Sequence, residues 1–170
     1  LLNMMYFNEK DSAIEIEQIS IVLGKNFVIS FQEDATRDVF NPLREKLKFN
    51  ASKIRQSKAD FLFYSLIDMI VDNYYVVMEK LGEKIEILEE EIVRNVTKQS
   101  LVKINMLRKD MILLKRSVAP VRELVNGILR SESDLMEEKT EKYFKDVYDH
   151  IIQATDLAEN YRDMMINLHD

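Results

Sequence analysis

Apolar and polar residues alternate near the amino terminus, a period-two pattern typical of strands. The segments "LLNMMYF", "AIEIEQISIVL" and "FVISF" predict three strands. Gly24 and Asn26 lie between the last two segments and suit a tight turn, which predicts a hairpin. Because three strands bury little apolar surface alone, more sheet is expected before the first residue.

A helical rhythm follows and continues to the end of the chain. Pro42 fits the first turn of a short helix, where its missing N–H costs nothing. Three long helices are then predicted, from about Lys53 to Val93, from about Thr97 to Leu129, and from near Asp134 to the end. The short connection "RNVTKQ" makes the first two an antiparallel hairpin. Pro120 is expected to kink or split the second helix.

Each long helix carries an apolar seam with alternating steps of three and four residues. This period of 3.5 predicts coiled-coil-like packing. The third helix, from Asp134 to Asp170, would be roughly 55 Å long at 1.5 Å per residue. We expect it to project as a strut. The predicted fold class is α+β, predominantly α, and glycine and proline are scarce (3 and 2).

Charge and composition exclude several functions. The net charge is −6, which does not suit a nucleic-acid binder but suits cations. The chain has no cysteine, so thiol catalysis, disulfides and cysteine zinc sites are excluded. It has no phosphate-binding loop or nucleophile motif and only two histidines, so an enzyme is not predicted.

The most apolar stretch, "FLFYSLIDMIVDNYYVVM", is broken by Asp68 and Asp72 and is too charged for a membrane span. The chain is therefore read as soluble. Both ends look cut, and a fragment of a longer protein is expected. A carboxylate among apolar residues needs a partner. For Asp68 and Asp72, which are four residues apart, that partner is a Lys or Arg, the solvent or a cation.

The segment "KYFKDVYDHIIQ" places Asp146, Asp149 and His150 on one helical face. Spacing alone favours a solvated surface, and metal binding at Asp146 is the minority alternative. Asp146 and His150 lie toward the side of the helix, where a neighbouring subunit could contact them. Aspartates spaced seven apart occupy the outer heptad position opposite the seam and are read as solubilising: Asp149, Asp156, Asp163 and Asp170.

The segments "YSLID" and "YFKDVYDHIIQATDLAENYRDM" are specific in combination, and "EKIEILEEEIV" and "LLKRSVAPVRELVNGILR" support them. Together these segments resemble the cytoplasmic domain of the CorA family of magnesium transporters. The resemblance implies that residues 1–48 are the last strands and a short helix of a small α/β domain. Residues 49–170 would form a long-helix domain, an acidic hairpin and a stalk helix that stops before the first membrane span.

The resemblance also implies a function. It implies a homopentameric channel at the cytoplasmic face of the cell membrane, with membrane spans beyond this chain. Mg²⁺, with Co²⁺ or Ni²⁺ as alternatives, would be both the transported and the regulatory ion. The regulatory ion would bind between subunits at Asp146 and Asp68, while His150 and Asp72 receive no ligand role. The seam of the third helix would pack in the pentamer. A zinc transporter of the same superfamily and a soluble helical adaptor remain as alternatives.

Overall fold

A computed structural model describes residues 1–168, which begin with a three-stranded antiparallel sheet in the order β1-β2-β3. The strands are β1 (Leu2–Asn8), β2 (Ala13–Leu23) and β3 (Val28–Phe31). Leu2 pairs with Ile19, and Ser20 pairs with Phe31. The three strands and the hairpin are therefore confirmed.

Gly24 lies in the turn between β2 and β3, close to the Phe27 ring. The Gly24 N–H donates to the Phe27 carbonyl at 2.8 Å, and a Cβ atom on Gly24 would lie 2.3 Å from the Phe27 ring. A larger residue at this position would require the exposed Phe27 ring to move.

The remainder of the described chain is helical. The helices are α1 (Asn41–Leu47), α2 (Lys53–Gln56), α3 (Ala59–Arg94), α4 (Lys98–Arg130) and α5 (Glu138–Asn167). Pro42 is in the first turn of α1, as predicted. The capping box between Thr97 and Ser100 starts α4. The predicted extension of α5 through His169 and Asp170 lies outside the described residues.

Three helix predictions are wrong in detail. The helix predicted from Lys53 is divided, because Ser57 and Lys58 are extended and separate α2 from α3. The Ser57 hydroxyl donates to the Lys53 carbonyl at 2.6 Å, which satisfies one end group of α2. The third helix begins after an extended Glu137 rather than near Asp134. Of the two outcomes expected at Pro120, the split of α4 is wrong, because the helix continues through this residue, and the kink stays a prediction.

Helix α5 packs on both α3 and α4, and the three seams meet in one core. Phe144, Val147 and Ile151 are fully buried, and Met165 near the end of α5 is 3% exposed. Over the described residues α5 therefore does not project as a strut. Its seam is used inside the chain, and the expectation that this seam packs against neighbouring subunits is wrong, because α3 and α4 already cover it.

The sheet is fastened to the long helices by polar contacts. The Tyr74 hydroxyl donates to the Asn3 carbonyl at 2.5 Å, and the Asn73 amide donates to the Met5 carbonyl. Buried Asp110 on α4 accepts from the Ile14 N–H at 3.2 Å and pairs with Lys84 on α3 at 3.3 Å. These contacts hold β1, β2, α3 and α4 in one arrangement.

By length and composition, α3 is the one described helix that could cross a membrane. In its most apolar window, 44% of the residues are buried within the protein. Buried core helices of soluble proteins meet the same criteria, so this finding decides nothing about a membrane.

Candidate metal centre

Two carboxylates and an imidazole meet where α3 packs on α5. Each of Asp68, Asp72 and His150 offers one ligand atom, and the three atoms lie within 4.8 Å of one another. We call these three residues the acid–imidazole cluster. Asp68 is half-buried, while Asp72 and His150 are exposed.

The seams of the two helices position this cluster. Asp68 and Asp72 are four residues apart on α3 and therefore lie on the same face, one turn apart. Buried Ile67 and Val71 precede them in the chain, and buried Ile151 follows His150 on α5. The cluster therefore lies at the solvent edge of a well-packed helix contact.

Tyr75 of α3 holds the backbone at His150. Its hydroxyl donates to the His150 carbonyl at 2.6 Å. The Tyr75 ring meets the imidazole edge to face, with 6.4 Å between the ring centres. These two contacts fix the position of α5 beside the carboxylates.

Burial and a like charge disturb the ionisation of Asp68. The pKa of Asp68 is raised, first by burial and then by the charge of Asp72, while His150, Tyr64 and Lys46 oppose the shift. The pKa of the Tyr64 hydroxyl is also raised, mainly by burial and then by Asp68. A positive ion between the carboxylates would remove the repulsion that raises the pKa of Asp68.

The donor set can accommodate a divalent cation. Direct ligands of a cation with 2.1 Å bonds lie roughly 3 to 4 Å apart. Donor atoms within 4.8 Å of one another therefore need only a small closure to bind directly. Mg²⁺ keeps several waters and binds through one or two carboxylates. The imidazole adds a donor that Zn²⁺, Co²⁺ and Ni²⁺ accept.

Asp146 lies outside this cluster. It is exposed on α5, one turn before His150. Its charge raises the pKa of Tyr64, which places it near the same end of the site. Its predicted role as a ligand shared with another subunit stays a prediction. Its neighbours at the outer heptad position, Asp149, Asp156 and Asp163, are exposed as expected.

The sequence alone did not find Asp72 and His150 as partners of Asp68. The one-turn spacing of Asp68 and Asp72 was visible, and so was the spacing of Asp146 and His150. The signal that was missing is the register between α3 and α5, because that register is set by packing between segments far apart in the chain.

Comparisons with known proteins identify the family. A family described as CorA-like Mg²⁺ transporter protein matches residues 1–170. The chain belongs to this family. It is 39% identical over 170 residues to the cobalt/magnesium transport protein CorA of Thermotoga maritima, covering 100% of this chain and 48% of that protein. The chain is 27% identical to a protein of Bacillus subtilis named as a putative metal ion transporter, and the match covers 92% of this chain and 49% of that protein.

Solved structures agree with the fold. The soluble domain of CorA from Methanocaldococcus jannaschii superposes with a TM-score of 0.88 at 19% identity, covering 99% of this chain and 66% of that one. The complete CorA magnesium transporter of the same organism superposes with a TM-score of 0.84, and the match covers 99% of this chain and 52% of that one. The α+β, predominantly α fold class is thus confirmed. The chain spans about half the length of the curated relatives that it matches.

Proposed function

We propose that this chain is the Mg²⁺-sensing portion of a CorA-type divalent-cation transporter. The acid–imidazole cluster supports this proposal, because it gathers two carboxylates and an imidazole in a member of this family, and burial and the charge of Asp72 raise the pKa of Asp68. The relatives are named for transport of cobalt and magnesium, and Mg²⁺ and Co²⁺ are therefore the ions to test first.

The proposed mechanism is electrostatic. Without a cation, Asp68 and Asp72 repel each other, and Asp146 adds a third negative charge nearby. A bound cation neutralises these charges and bridges them to carboxylates of a neighbouring subunit, which stabilises the closed state. Loss of the cation restores the repulsion and shifts the population toward the open state.

The rest of the proposed assembly concerns the whole protein. We propose a homopentamer whose membrane spans lie outside this chain, with this chain on the cytoplasmic face and with no nucleic-acid or catalytic role. The exposed positions of Asp72, Asp146 and His150 favour contact with a neighbouring subunit.

Thermal unfolding of this chain with increasing Mg²⁺ tests the sensing role. The wild type should gain stability with Mg²⁺, and Asp72→Asn should lose most of that gain, because one of the two repelling charges is removed. Asp156→Asn is the matched control, since Asp156 is also exposed but lies outside the cluster. Equal gains in the wild type, Asp72→Asn and the control would refute a cation site at the cluster.

A zinc or cobalt transporter is the second candidate, and His150 favours it. Imidazole is a poor ligand for Mg²⁺ and a good one for Zn²⁺ and Co²⁺. If the site serves these metals, His150→Gln should weaken Co²⁺ and Zn²⁺ binding by at least about tenfold, because the loss of even a residue that only orients a metal ligand costs this much. Calorimetric titration of each metal into both proteins measures this. Mg²⁺ binding that exceeds Zn²⁺ binding and is unaffected by His150→Gln would leave the magnesium function alone.

A further inference from the structure

A polar cavity lies where α2, the beginning of α3 and the first turns of α5 meet. Its volume is about 190 Å³, which is room for several waters or for a small anion. Its lining includes three lysines, one glutamate and two aromatic residues: Lys53, Lys58, Lys139, Glu137, Phe61 and Tyr143. We call this cavity the lysine pocket.

Three lysines and one glutamate line the lysine pocket in a protein of net charge −6, and the buried Asp60 carboxylate lies beside it, accepting from the Glu137 N–H at 2.9 Å. Glu137 is its one lining carboxylate, and Glu137 pairs with Lys58 at 2.6 Å. Within the part of the chain that the structure describes, no carboxylate lies at ion-pair distance from Lys53 or Lys139. Two ammonium groups therefore remain for a bound anion.

The aromatic rings hold one of these ammonium groups at the pocket. The Lys53 Nζ lies 4.3 Å from the centre of the Tyr143 ring and 5.1 Å from that of Phe61. It also donates to the Tyr143 hydroxyl. Cation–π contact with two rings restrains a side chain that would otherwise extend into solvent. This hydrogen bond and the charges of Lys53 and Lys139 lower the pKa of Tyr143.

We propose that the lysine pocket binds a phosphate-type anion. Lysine ammonium groups bind phosphate as point charges, and the Tyr143 hydroxyl adds a donor to a phosphate oxygen. The anion would lie between Lys53 and Lys139 and would reduce the repulsion between them.

The rings indicate that the phosphate group alone is recognised. The Tyr143 ring already stacks on Tyr64, with 5.2 Å between centres and 27° between planes. Phe61 meets the same ring edge to face at 5.6 Å. With Lys53 also over Tyr143, a nucleotide base would have to displace one of these contacts. Inorganic pyrophosphate and a nucleoside diphosphate should therefore bind equally well.

Calorimetric titration of sodium pyrophosphate into this chain, with divalent cations removed, tests the proposal. Lys139→Ala should weaken binding by about fivefold, the effect of one unit charge at short range in water. Lys145→Ala is the matched control, because it removes the same charge from the same helix at an exposed position that does not line the pocket. Lys53→Gln should weaken binding by a similar factor.

The outcomes separate clearly. No binding of pyrophosphate, or equal binding by Lys139→Ala, Lys53→Gln and the Lys145→Ala control, would overturn the proposal. Equal affinity for pyrophosphate and adenosine diphosphate supports recognition of the phosphate group, while binding of the nucleotide alone would overturn it. Because no divalent cation is present, the result is independent of the proposed Mg²⁺ site.

Discussion

Asp68 is a carboxylate whose surroundings favour its neutral form. Burial and the neighbouring charge of Asp72 raise its pKa, and no described contact fully compensates for them. A free-energy cost of this kind is common at binding sites, where the ligand removes the strain. The same residue that destabilises the free protein would therefore gain most from a cation.

The sign of the pH dependence follows from this shift. A carboxyl with a raised folded-state pKa holds its proton more tightly in the folded than in the unfolded chain. Stability should therefore fall as the pH rises from the unfolded-state pKa, about 3.9, through the raised value. At neutral pH without divalent cations, Asp68→Asn should stabilise the protein by about 0.5 kcal/mol, a small value because the site is partly solvated.

Thermal unfolding at neutral pH and at about pH 4 checks this prediction. The advantage of Asp68→Asn should shrink at the lower pH, where the wild-type carboxyl is also neutral, and should reverse when Mg²⁺ saturates the wild type. An Asp68→Asn variant that is less stable than the wild type at neutral pH without cations would contradict the assigned direction of the pKa shift.

At the scale of elements, the periodicity of apolar residues predicted the strands and long helices because burial imposes the same period on every turn or pleat. It could not predict the break at Ser57 and Lys58, where the backbone becomes extended between α2 and α3. Nor could it show which helix covers which seam. For the same reason the sequence predicted Asp68 as a metal ligand but not its neighbour His150, because the packing of α5 on α3 brings His150 to Asp68.

The contact between Asp110 and Lys84 joins both long helices of the hairpin to the sheet. Asp110→Ala should destabilise the protein by about 2 to 4 kcal/mol, because it leaves the Ile14 N–H without this acceptor. It also leaves the partly buried Lys84 ammonium without a carboxylate, with only the Ser12 carbonyl still accepting from it. The variant Asp110→Leu/Lys84→Met should recover part of this loss. Chemical unfolding measures both. The exposed pair Lys115–Glu159 is the control, and Lys115→Ala should cost less than about 1 kcal/mol.

Gly82 marks the close approach of α3 to α5. An added Cβ would lie 2.6 Å from the Tyr161 hydroxyl and 3.1 Å from the ring carbon that bears it. Alanine would otherwise favour the helix by about 1 kcal/mol. Gly82→Ala should therefore be more favourable in the Tyr161→Phe background than in the wild type, as a double-mutant cycle of unfolding free energies would show. If Gly82→Ala changed the free energy of unfolding equally in both backgrounds, the Tyr161 hydroxyl would not contact the added Cβ.

At the scale of the whole molecule, the chain spans about half the length of the curated CorA-family relatives that it matches, and the proposed sensing role concerns the whole protein. Its described core is complete along α3, α4 and α5, so a neighbouring subunit would meet an outer surface and not the buried seam. Asp146 is on that outer surface, beside the acid–imidazole cluster. Its predicted role is thus tested in the assembled protein.

In the full-length transporter, Asp146→Ala should weaken the protection that Mg²⁺ gives against proteolysis, because a carboxylate shared between subunits would be lost. The protein is digested at increasing Mg²⁺ concentrations, and the amount that stays intact is measured at each. These amounts give the Mg²⁺ concentration at which protection is half complete. That concentration should rise by about tenfold, equal to about 1.4 kcal/mol of binding free energy. Asp149→Ala is the matched control, because Asp149 is an exposed aspartate on the same helix at the outer heptad position. If Asp146→Ala and Asp149→Ala leave protection equally unchanged, Asp146 is not a sensor ligand, and sensing would rest on Asp68, Asp72 and His150.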